Sequence, residues 1–260
     1  MNATLGRFLR NLFPARPQPA PYAIPDGMTV YAVGDIHGER RLLEDLLETI
    51  ARDATGPGAA SRLAIVFLGD YVDRGPDSRG VVDLLLRHPV HDAEHRFLRG
   101  NHEQVMLDFI GDPESAAAWL DYGGIMTADS YGVRMGVPAN PTGRAAFRDA
   151  LAAAISPAHK AFLDALEPSA IYGDYAFVHA GVRPGRPVAD QKPEDLLWIR
   201  DPFLTWTGAF DKRVVHGHTI RPAPEVMPNR IGIDTGAYAT GVLTAVALSG
   251  TQVRVLQARR

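Results

Sequence analysis

A strand followed by a loop and a helix occurs repeatedly in the first half of the chain, and this pattern restricts the fold more than any other feature. Short apolar runs predict strands at Met28–Val33, Arg62–Leu68 and His95–Leu98. Leucine and valine at helical spacing predict amphipathic helices over Glu39–Arg52 and Ser78–Arg87. Because such helices connect parallel strands, we expect a largely parallel sheet covered by helices.

The second half of the chain has a different pattern. Residues 104 to about 170 are rich in alanine, which predicts a helical insertion packed over one end of the sheet. Further strands, antiparallel or mixed because no helix of crossover length separates the last two, are predicted at Tyr175–His179, Arg213–His216, Arg230–Asp234 and Val242–Ala247. The predicted fold class is α/β, with two mixed β-sheets sandwiched between helices, in a single domain over residues 28–260.

The composition excludes several kinds of site. The 260 residues include no cysteine, which excludes a disulfide framework, a thiolate nucleophile and a cysteine-based metal site. A metal would therefore need oxygen and imidazole ligands, and nine histidines are available. The 27 Lys and Arg against 30 Asp and Glu give a net charge of −3, so no nucleic-acid partner is expected.

The first 27 residues are predicted to form a flexible, basic, proline-rich leader. Its short apolar run is interrupted by Arg7 and Arg10, so it does not make a convincing secretory signal, and residues 5–13 would contact a membrane surface only weakly. No run reaches the roughly 18 apolar residues of a membrane-spanning helix. We therefore expect a cytoplasmic protein without stable membrane insertion, and the sequence leaves its oligomeric state open.

Polar side chains and glycines follow the predicted strands. The sequences are GDIHG from Gly34, GDYVDRG from Gly69, GNHE from Gly100, HAG from His179 and HGHT from His216. A helix cap accounts for one Asp after a strand, but it does not account for Asp, Asn and His at five strand ends. Since ligands of open α/β sheets bind at the carboxyl ends of the strands, these residues predict one common binding crevice.

In order and spacing these motifs resemble the phosphoprotein phosphatase branch of the calcineurin-like metallophosphoesterases, to which bacterial Ser/Thr protein phosphatases belong. The resemblance extends from about Tyr31 to Tyr238. It implies two divalent transition-metal ions, manganese foremost with iron or zinc as alternatives, and a hydroxide bridging them as the attacking group. The ligands it implies are Asp35 and His37 for one metal, Asp70 for both metals, and Asn101, His179 and His218 for the other.

Catalytic and substrate-binding roles also follow from the resemblance. It assigns His102 as the general acid that protonates the leaving oxygen, with Asp73 holding the imidazole and Arg74 binding phosphoryl oxygens. Arg200, in LLWIRD, is predicted as a second phosphate-binding arginine. The histidines without a motif are predicted to lie on the surface; they are His88, His91, His95 and His159.

The motifs predict a metal-dependent phosphoesterase, most directly a Ser/Thr phosphoprotein phosphatase that hydrolyses phosphomonoesters. The alternative is a symmetrical bis(5'-nucleosyl)-tetraphosphate hydrolase, or a hydrolase of another small phosphoester or pyrophosphate. The insertion borders the substrate groove, so its shape decides whether a phosphorylated protein or a small phosphoester fits. Its residues Tyr122 and Tyr131 would stack on either a peptide or a nucleobase, so the sequence alone does not choose between them. A non-catalytic phosphate-binding protein is disfavoured because every expected ligand position is filled.

Overall fold

The computed structural model describes residues 22–56, 60–138 and 140–260, which form two five-stranded sheets with helices around them. The strands are β1 (Met28–Val33), β2 (Arg62–Phe67), β3 (Ala93–Phe97), β4 (Ser169–Tyr172), β5 (Tyr175–Val178), β6 (Arg213–His216), β7 (Glu225–Val226), β8 (Arg230–Gly232), β9 (Val242–Ser249) and β10 (Gln252–Arg259). The helices are α1 (Arg40–Ala54), α2 (Ser78–Leu85), α3 (Asn101–Gly111), α4 (Gly124–Ser130), α5 (Pro141–Ala154), α6 (Pro157–Asp164), α7 (Pro193–Trp198) and α8 (Ala237–Thr240).

The first sheet has the strand order β10-β9-β1-β2-β3. β1, β2 and β3 are parallel, with Val33 paired to Phe67 and Phe67 to Phe97 at their carboxyl ends. This confirms the parallel arrangement expected from the repeated strand–helix pattern, since α1 and α2 connect the three strands. β9 pairs with the other side of β1 in the antiparallel direction, with Ala245 opposite Val33.

The second sheet has the strand order β4-β5-β6-β8-β7, in which β5, β6 and β8 are parallel and the outer strands antiparallel. The sheet is mixed, as predicted. The short connection between β8 and β9 does not join neighbouring strands of one sheet, because β9 belongs to the first sheet. Gly236 (φ 67°) and Gly241 (φ 70°) flank α8, and these left-handed residues turn the chain from one sheet to the other.

Alternate side chains of β1 pack into two different apolar layers. Val30 and Ala32 lie between the two sheets, where Phe177 of β5 meets them. Tyr31 and Val33 belong to the layer on the opposite face, which the leucines of α1 cover. A third apolar layer lies under α7 and involves residues of β5 and β6. The predicted α/β class, with two mixed sheets and helices packed against them, is confirmed.

The predicted helical stretch between β3 and β4 contains α3 to α6 and a short 3-10 helix at Ala117–Leu120. α3 begins at Asn101, directly after the third strand, so the insertion starts at the crevice. The division into a leader and one domain stays a prediction. Most of the leader, including residues 5–13, lies outside the described residues. Among the described helices, none combines the length and the apolar character needed to cross a membrane.

Candidate metal centre

The strand-end motifs of both sheets meet in one crevice, as the sequence predicts. Asp35 and Asp70 follow β1 and β2, whereas His179 and His218 follow β5 and β6. A backbone hydrogen bond joins the first two loops, since the N–H of His37 donates to the carbonyl of Asp70 at 2.8 Å. The crevice is therefore assembled from segments that lie far apart in the sequence.

Several residues of the crevice have φ angles in the left-handed region, which residues other than glycine rarely adopt. They are His37 (φ 47°), Asp70 (φ 53°), Asp73 (φ 72°), Arg74 (φ 68°) and His218 (φ 62°). Such conformations cost about 1–3 kcal/mol each and persist only where the surrounding structure fixes them. Their concentration here indicates that the fold maintains strain in order to position these side chains.

Two glycines permit the close approach of the loops. A Cβ atom on Gly217 would collide with Oδ1 of Asp35, and a Cβ atom on Gly100 would collide with the backbone nitrogen and carboxylate of Asp70. Glycine at these two positions is thus a steric requirement of the motifs GHT and GNHE.

Asp70 lies at the centre of the crevice. Its Oδ2 is 3.5 Å from Nε2 of His37, while its Oδ1 is 3.5 Å from Nε2 of His179. Two groups of ligand atoms, each spanning no more than 4.8 Å, share this carboxylate: His37, Asp70 and His102 in one, and Asp70, His179 and His218 in the other. The two oxygens of Asp70 therefore face different histidines, which suits a ligand shared by two cations.

Beside the second group, two hydrogen-bond acceptors, Nε2 of His179 and Oδ1 of Asn101, lie in direct contact. His179 donates its Nδ1–H to the carbonyl of Leu68 at 2.9 Å, which leaves a lone pair on Nε2. That nitrogen lies 2.8 Å from Oδ1 of Asn101, and Nδ1 of His218 lies 3.0 Å from the same oxygen. A lone pair and an amide oxygen repel each other unless a cation binds both, so this geometry fits a metal ion. The hydrogen bond to a backbone carbonyl is also typical of metal-binding histidines.

In the first group, His37 has the same feature. Nδ1–H of His37 donates to the carbonyl of Val72 at 2.9 Å, and Nε2 is left facing Asp70. Asp35 lies beside these groups and accepts the N–H of His218 at 2.9 Å through Oδ2. Oδ1 of Asp35 and Nε2 of His218 are buried and have no hydrogen-bond partner among the described residues. Since an unpaired buried polar atom is costly, both atoms fit ligands of cations.

Burial determines the protonation of these side chains. It lowers the pKa of His37 to about 3 and that of His218 to about 3, so both imidazoles are neutral, the form that binds metals. Burial, together with the nearby Asp234 and Asp70, raises the pKa of Asp35 well above its usual value. Burial also raises the pKa of Asp234 to about 6. Arg74 opposes these upward shifts of the pKa but does not cancel them, and divalent cations would supply further positive charge to the crowded carboxylates.

His102 and Asp73 form a buried pair beside the metal-ligand groups. Nδ1–H of His102 donates to Oδ2 of Asp73 at 2.6 Å, and the same carboxylate accepts Nε1–H of Trp119 at 2.8 Å and the hydroxyl of Thr127 at 2.6 Å. Burial opposes a charge on His102, but Asp70 and then Asp73 outweigh it and raise the pKa of this imidazole. The pair is thus built to hold a proton on His102.

Arg74 extends over the same site. Its Nη2 is 3.1 Å from Nε2 of His102, and its guanidinium lies over the ring of Tyr238 at 4.8 Å from the centroid. Arg74 and the exposed Arg200 both line an open cavity of about 470 Å³, which also contains the central carboxylate of Asp70. The structure therefore places both predicted phosphate-binding arginines beside the metal-ligand groups.

Glu103 of the GNHE motif, which the sequence predicts to support the ligands rather than to act in catalysis, makes four hydrogen bonds to the backbone. Its buried carboxylate accepts the backbone N–H groups of Asp70 at 2.9 Å, Tyr71 at 2.7 Å, Val72 at 3.2 Å and Gly100 at 2.9 Å. One side chain thereby fixes the loop after β2 and the start of α3. The signal available in the sequence is an acidic residue in the first turn of a helix, where it caps free N–H groups.

Two expectations about exposure are wrong. Tyr131 is buried, and its hydroxyl lies 2.8 Å from Nδ1 of His159, whose Nε2 lies 3.0 Å from Asp83. Tyr131 therefore does not line the groove, and His159 is not a surface residue, because both join α4 and α6 to α2. Tyr122 is exposed over 64% of its surface and does line the cavity, together with Trp198.

The matches to known proteins agree with this geometry. Residues 28–235 match the family described as calcineurin-like phosphoesterase. The chain belongs to this family. It is a metallophosphoesterase, and its family uses a centre of two metal ions.

Individual relatives are informative about the function. The chain is 31% identical to a symmetrical bis(5'-nucleosyl)-tetraphosphatase of Janthinobacterium sp. (strain Marseille), over 85% of this chain and 93% of that protein. It is 37% identical to serine/threonine-protein phosphatase 1 of Salmonella typhimurium, but over only 36% of this chain and 38% of that protein. The cold-active protein-tyrosine phosphatase of a psychrophilic Shewanella sp. has the same fold, with a TM-score of 0.61 at 14% identity over 91% of this chain and 83% of that one.

Proposed function

We propose that this metallophosphoesterase hydrolyses bis(5'-nucleosyl) tetraphosphates, rather than phosphorylated proteins. The observation that carries the proposal is the similarity to the symmetrical tetraphosphatase, which extends over most of both chains, whereas the similarity to the Ser/Thr phosphatase covers about a third of each. The cavity supports it, because the exposed rings of Tyr122 and Trp198 offer stacking surfaces for nucleobases beside the metal-ligand groups.

The proposed metal ligands are the side chains whose oxygen or imidazole nitrogen atoms converge in the crevice. Asp35 and His37 would hold one cation, Asp70 both, and Asn101, His179 and His218 the other. Manganese suits this set of oxygen and imidazole donors, as do iron and zinc. Two such cations would supply Lewis acidity and would lower the pKa of a bound water, so that hydroxide is available to attack phosphorus at neutral pH.

The remaining residues would act on the substrate. His102 gives its proton to the oxygen that leaves phosphorus, and Asp73 holds the imidazole with Nε2 toward the cavity. Arg74 and Arg200 bind phosphoryl oxygens, for which the planar guanidinium is better suited than an ammonium group. The site thus combines a proton donor, two anion-binding arginines and the cation ligands around one cavity.

A comparison of substrates tests the proposal. Purified protein supplied with manganese is assayed with diadenosine tetraphosphate, with a phosphoserine peptide and with p-nitrophenyl phosphate, and the nucleotide products are separated by chromatography. We expect the highest kcat/KM for the dinucleotide and ADP as its product. A higher kcat/KM for the phosphopeptide would overturn the proposal and favour a Ser/Thr phosphatase.

A further inference from the structure

A second cavity lies next to the metal centre. Its volume is about 340 Å³, and it shares two lining residues, Trp198 and Arg200, with the cavity that contains Asp70. The two side chains stand two residues apart at the end of α7 and just after it, and both are exposed. Trp198 and Arg200 therefore form the boundary between the two cavities, called the wall below, and a long substrate would pass over it from one cavity to the other.

The second cavity has an excess of cations available to a ligand. It is lined by four cationic side chains, Arg183, Arg186, Lys192 and Arg200, and by the carboxylates of Glu194, Asp195 and Asp201. Arg183 is bound to Asp195, with Nε 2.9 Å from Oδ2. Within the described part of the chain, the other three cations form no ion pair shorter than 4 Å. The site therefore offers positive charge to an anion that reaches it.

Trp198 offers an apolar surface between the two cavities. It is exposed over 44% of its surface, and its indole lies perpendicular to the ring of His218, with the centroids 6.3 Å apart. An exposed indole beside cationic side chains is a suitable surface for an aromatic ligand that also carries phosphates, because stacking on a ring tolerates any base. The wall thus combines the two chemistries that a nucleotide requires.

We propose that the second cavity binds the leaving half of the substrate, a nucleoside diphosphate. This inference rests on the proposed function. In the reaction, the oxygen of a water molecule bonds to the attacked phosphorus and the bond from that phosphorus to the central bridging oxygen breaks. The leaving nucleoside diphosphate takes the bond's electron pair and the proton of His102. The attacking water loses a proton to solvent, and solvent returns a proton to His102, so one tetraphosphate and one water give two molecules of diphosphate.

The binding site places this leaving group beyond the wall. Arg200 at the boundary would meet its nearer phosphate, and Arg186 and Lys192 inside the second cavity would meet its more distant phosphate. Trp198, also at the boundary, would stack on the base if the nucleoside folds back toward it. A substrate with four phosphates would extend beyond the metal centre and would contact the unpaired cations of the second cavity. A phosphomonoester such as p-nitrophenyl phosphate is too short to reach them. The same cations would also attract an acidic phosphopeptide, which the experiment below separates from the dinucleotide.

The test uses the full chain with Arg186→Gln and Lys192→Gln combined, which removes two charges but retains long side chains on the surface. We expect kcat/KM for diadenosine tetraphosphate to fall by about tenfold, mainly through KM, and the loss to shrink at high ionic strength. Hydrolysis of p-nitrophenyl phosphate should stay unchanged, because that substrate ends before the second cavity. Lys160→Gln is the control, since it removes one charge from an exposed helix position that lines neither cavity.

The outcomes separate this inference from the proposed function. If the wild-type protein prefers the dinucleotide and the double variant hydrolyses it equally fast, the second cavity is not the leaving-group site and the proposed function stands. If the wild-type protein does not hydrolyse the dinucleotide but hydrolyses p-nitrophenyl phosphate, both fail. If the double variant loses activity on an acidic phosphopeptide alone, the cavity is a peptide site and the inference is overturned.

Discussion

Asp70 is the residue on which the geometry of the candidate metal centre depends most. Its two oxygens are each 3.5 Å from a different imidazole, His37 on one side and His179 on the other. Both imidazoles have their Nδ1–H groups bound to backbone carbonyls, so only their Nε2 lone pairs remain for a ligand. An amide in place of this carboxylate would offer one oxygen instead of two and would lose its negative charge.

We therefore expect Asp70→Asn to weaken both metal sites. After dialysis against dilute manganese, elemental analysis should find about two metal ions per wild-type chain and a clear loss of both in the variant. Asp77→Asn is the control, because Asp77 caps α2 by accepting the N–H of Gly80, and an asparagine can do the same. Full metal content in Asp70→Asn would contradict a shared ligand.

His102 gives a second prediction at the scale of the residue. If it protonates the leaving oxygen, His102→Ala should lower kcat by about 10²–10⁴-fold for a poor leaving group such as phenol. The effect should be much smaller for p-nitrophenol, which needs little protonation, and the metal content should not change. Because His102 also lies within one of the ligand groups, loss of metal from this variant would instead identify it as a ligand.

At the scale of the element, the helical insertion takes part in the site rather than only covering it. The insertion supplies Trp119 from its 3-10 helix and Thr127 from α4, and both donate hydrogen bonds to Asp73. Thr127 also accepts the backbone N–H of Asp73 at 2.8 Å. The carboxylate that positions His102 is therefore held by a part of the chain outside the strand-end motifs.

Trp119→Phe tests this role of the insertion. The ring of Trp119 packs against Phe109 at 5.1 Å, and phenylalanine preserves that contact while removing the N–H donated to Asp73. We expect the free energy of unfolding to fall by about 1–3 kcal/mol, and kcat to fall more for poor leaving groups than for good ones. Phe147→Leu, which loosens the same core without contacting Asp73, should reduce stability alone. Equal leaving-group dependence in the two variants would contradict the role.

Elements that follow from local patterns were predictable, and contacts between distant segments were not. β1, β2 and α1 were predictable because apolar spacing alone marks them. The pattern of β10, which alternates polar and apolar residues after Gly250, was available in the sequence but was not assigned. The sheet that β9 joins depends on which edge of β1 is free, and the bond from Trp119 to Asp73 depends on tertiary packing. Neither has a local signal.

At the scale of the whole molecule, the candidate metal centre lies where residues from the two sheets meet. The proposed ligands run from Asp35 to His218 and come from both sheets, which otherwise meet through an apolar layer. A cation bound between them contacts only the folded arrangement, because the ligands lie far apart in an unfolded chain. Metal binding is therefore expected to stabilise the entire fold.

This expectation predicts a shift in the unfolding temperature. At a free manganese concentration of about 100 times Kd, binding contributes about 2.7 kcal/mol for one site. For a chain of this size that corresponds to a rise in Tm of roughly 5–10 °C over the chelated protein, measured by calorimetry. The same addition to Asp70→Asn should produce a much smaller rise. An identical Tm with chelator and with manganese would contradict coupling between the metal and the fold.

The position of β9 beside β1 has a consequence for synthesis on the ribosome. The N–H of Gly34, next to Asp35, donates to the carbonyl of Thr244 at 3.0 Å, so the first motif is fixed by one of the last strands. Every proposed ligand has been translated once His218 is added, yet the strand that holds Asp35 in place has not. We therefore expect the two cations to be captured in the final geometry only after β9 has been synthesised and has paired with β1.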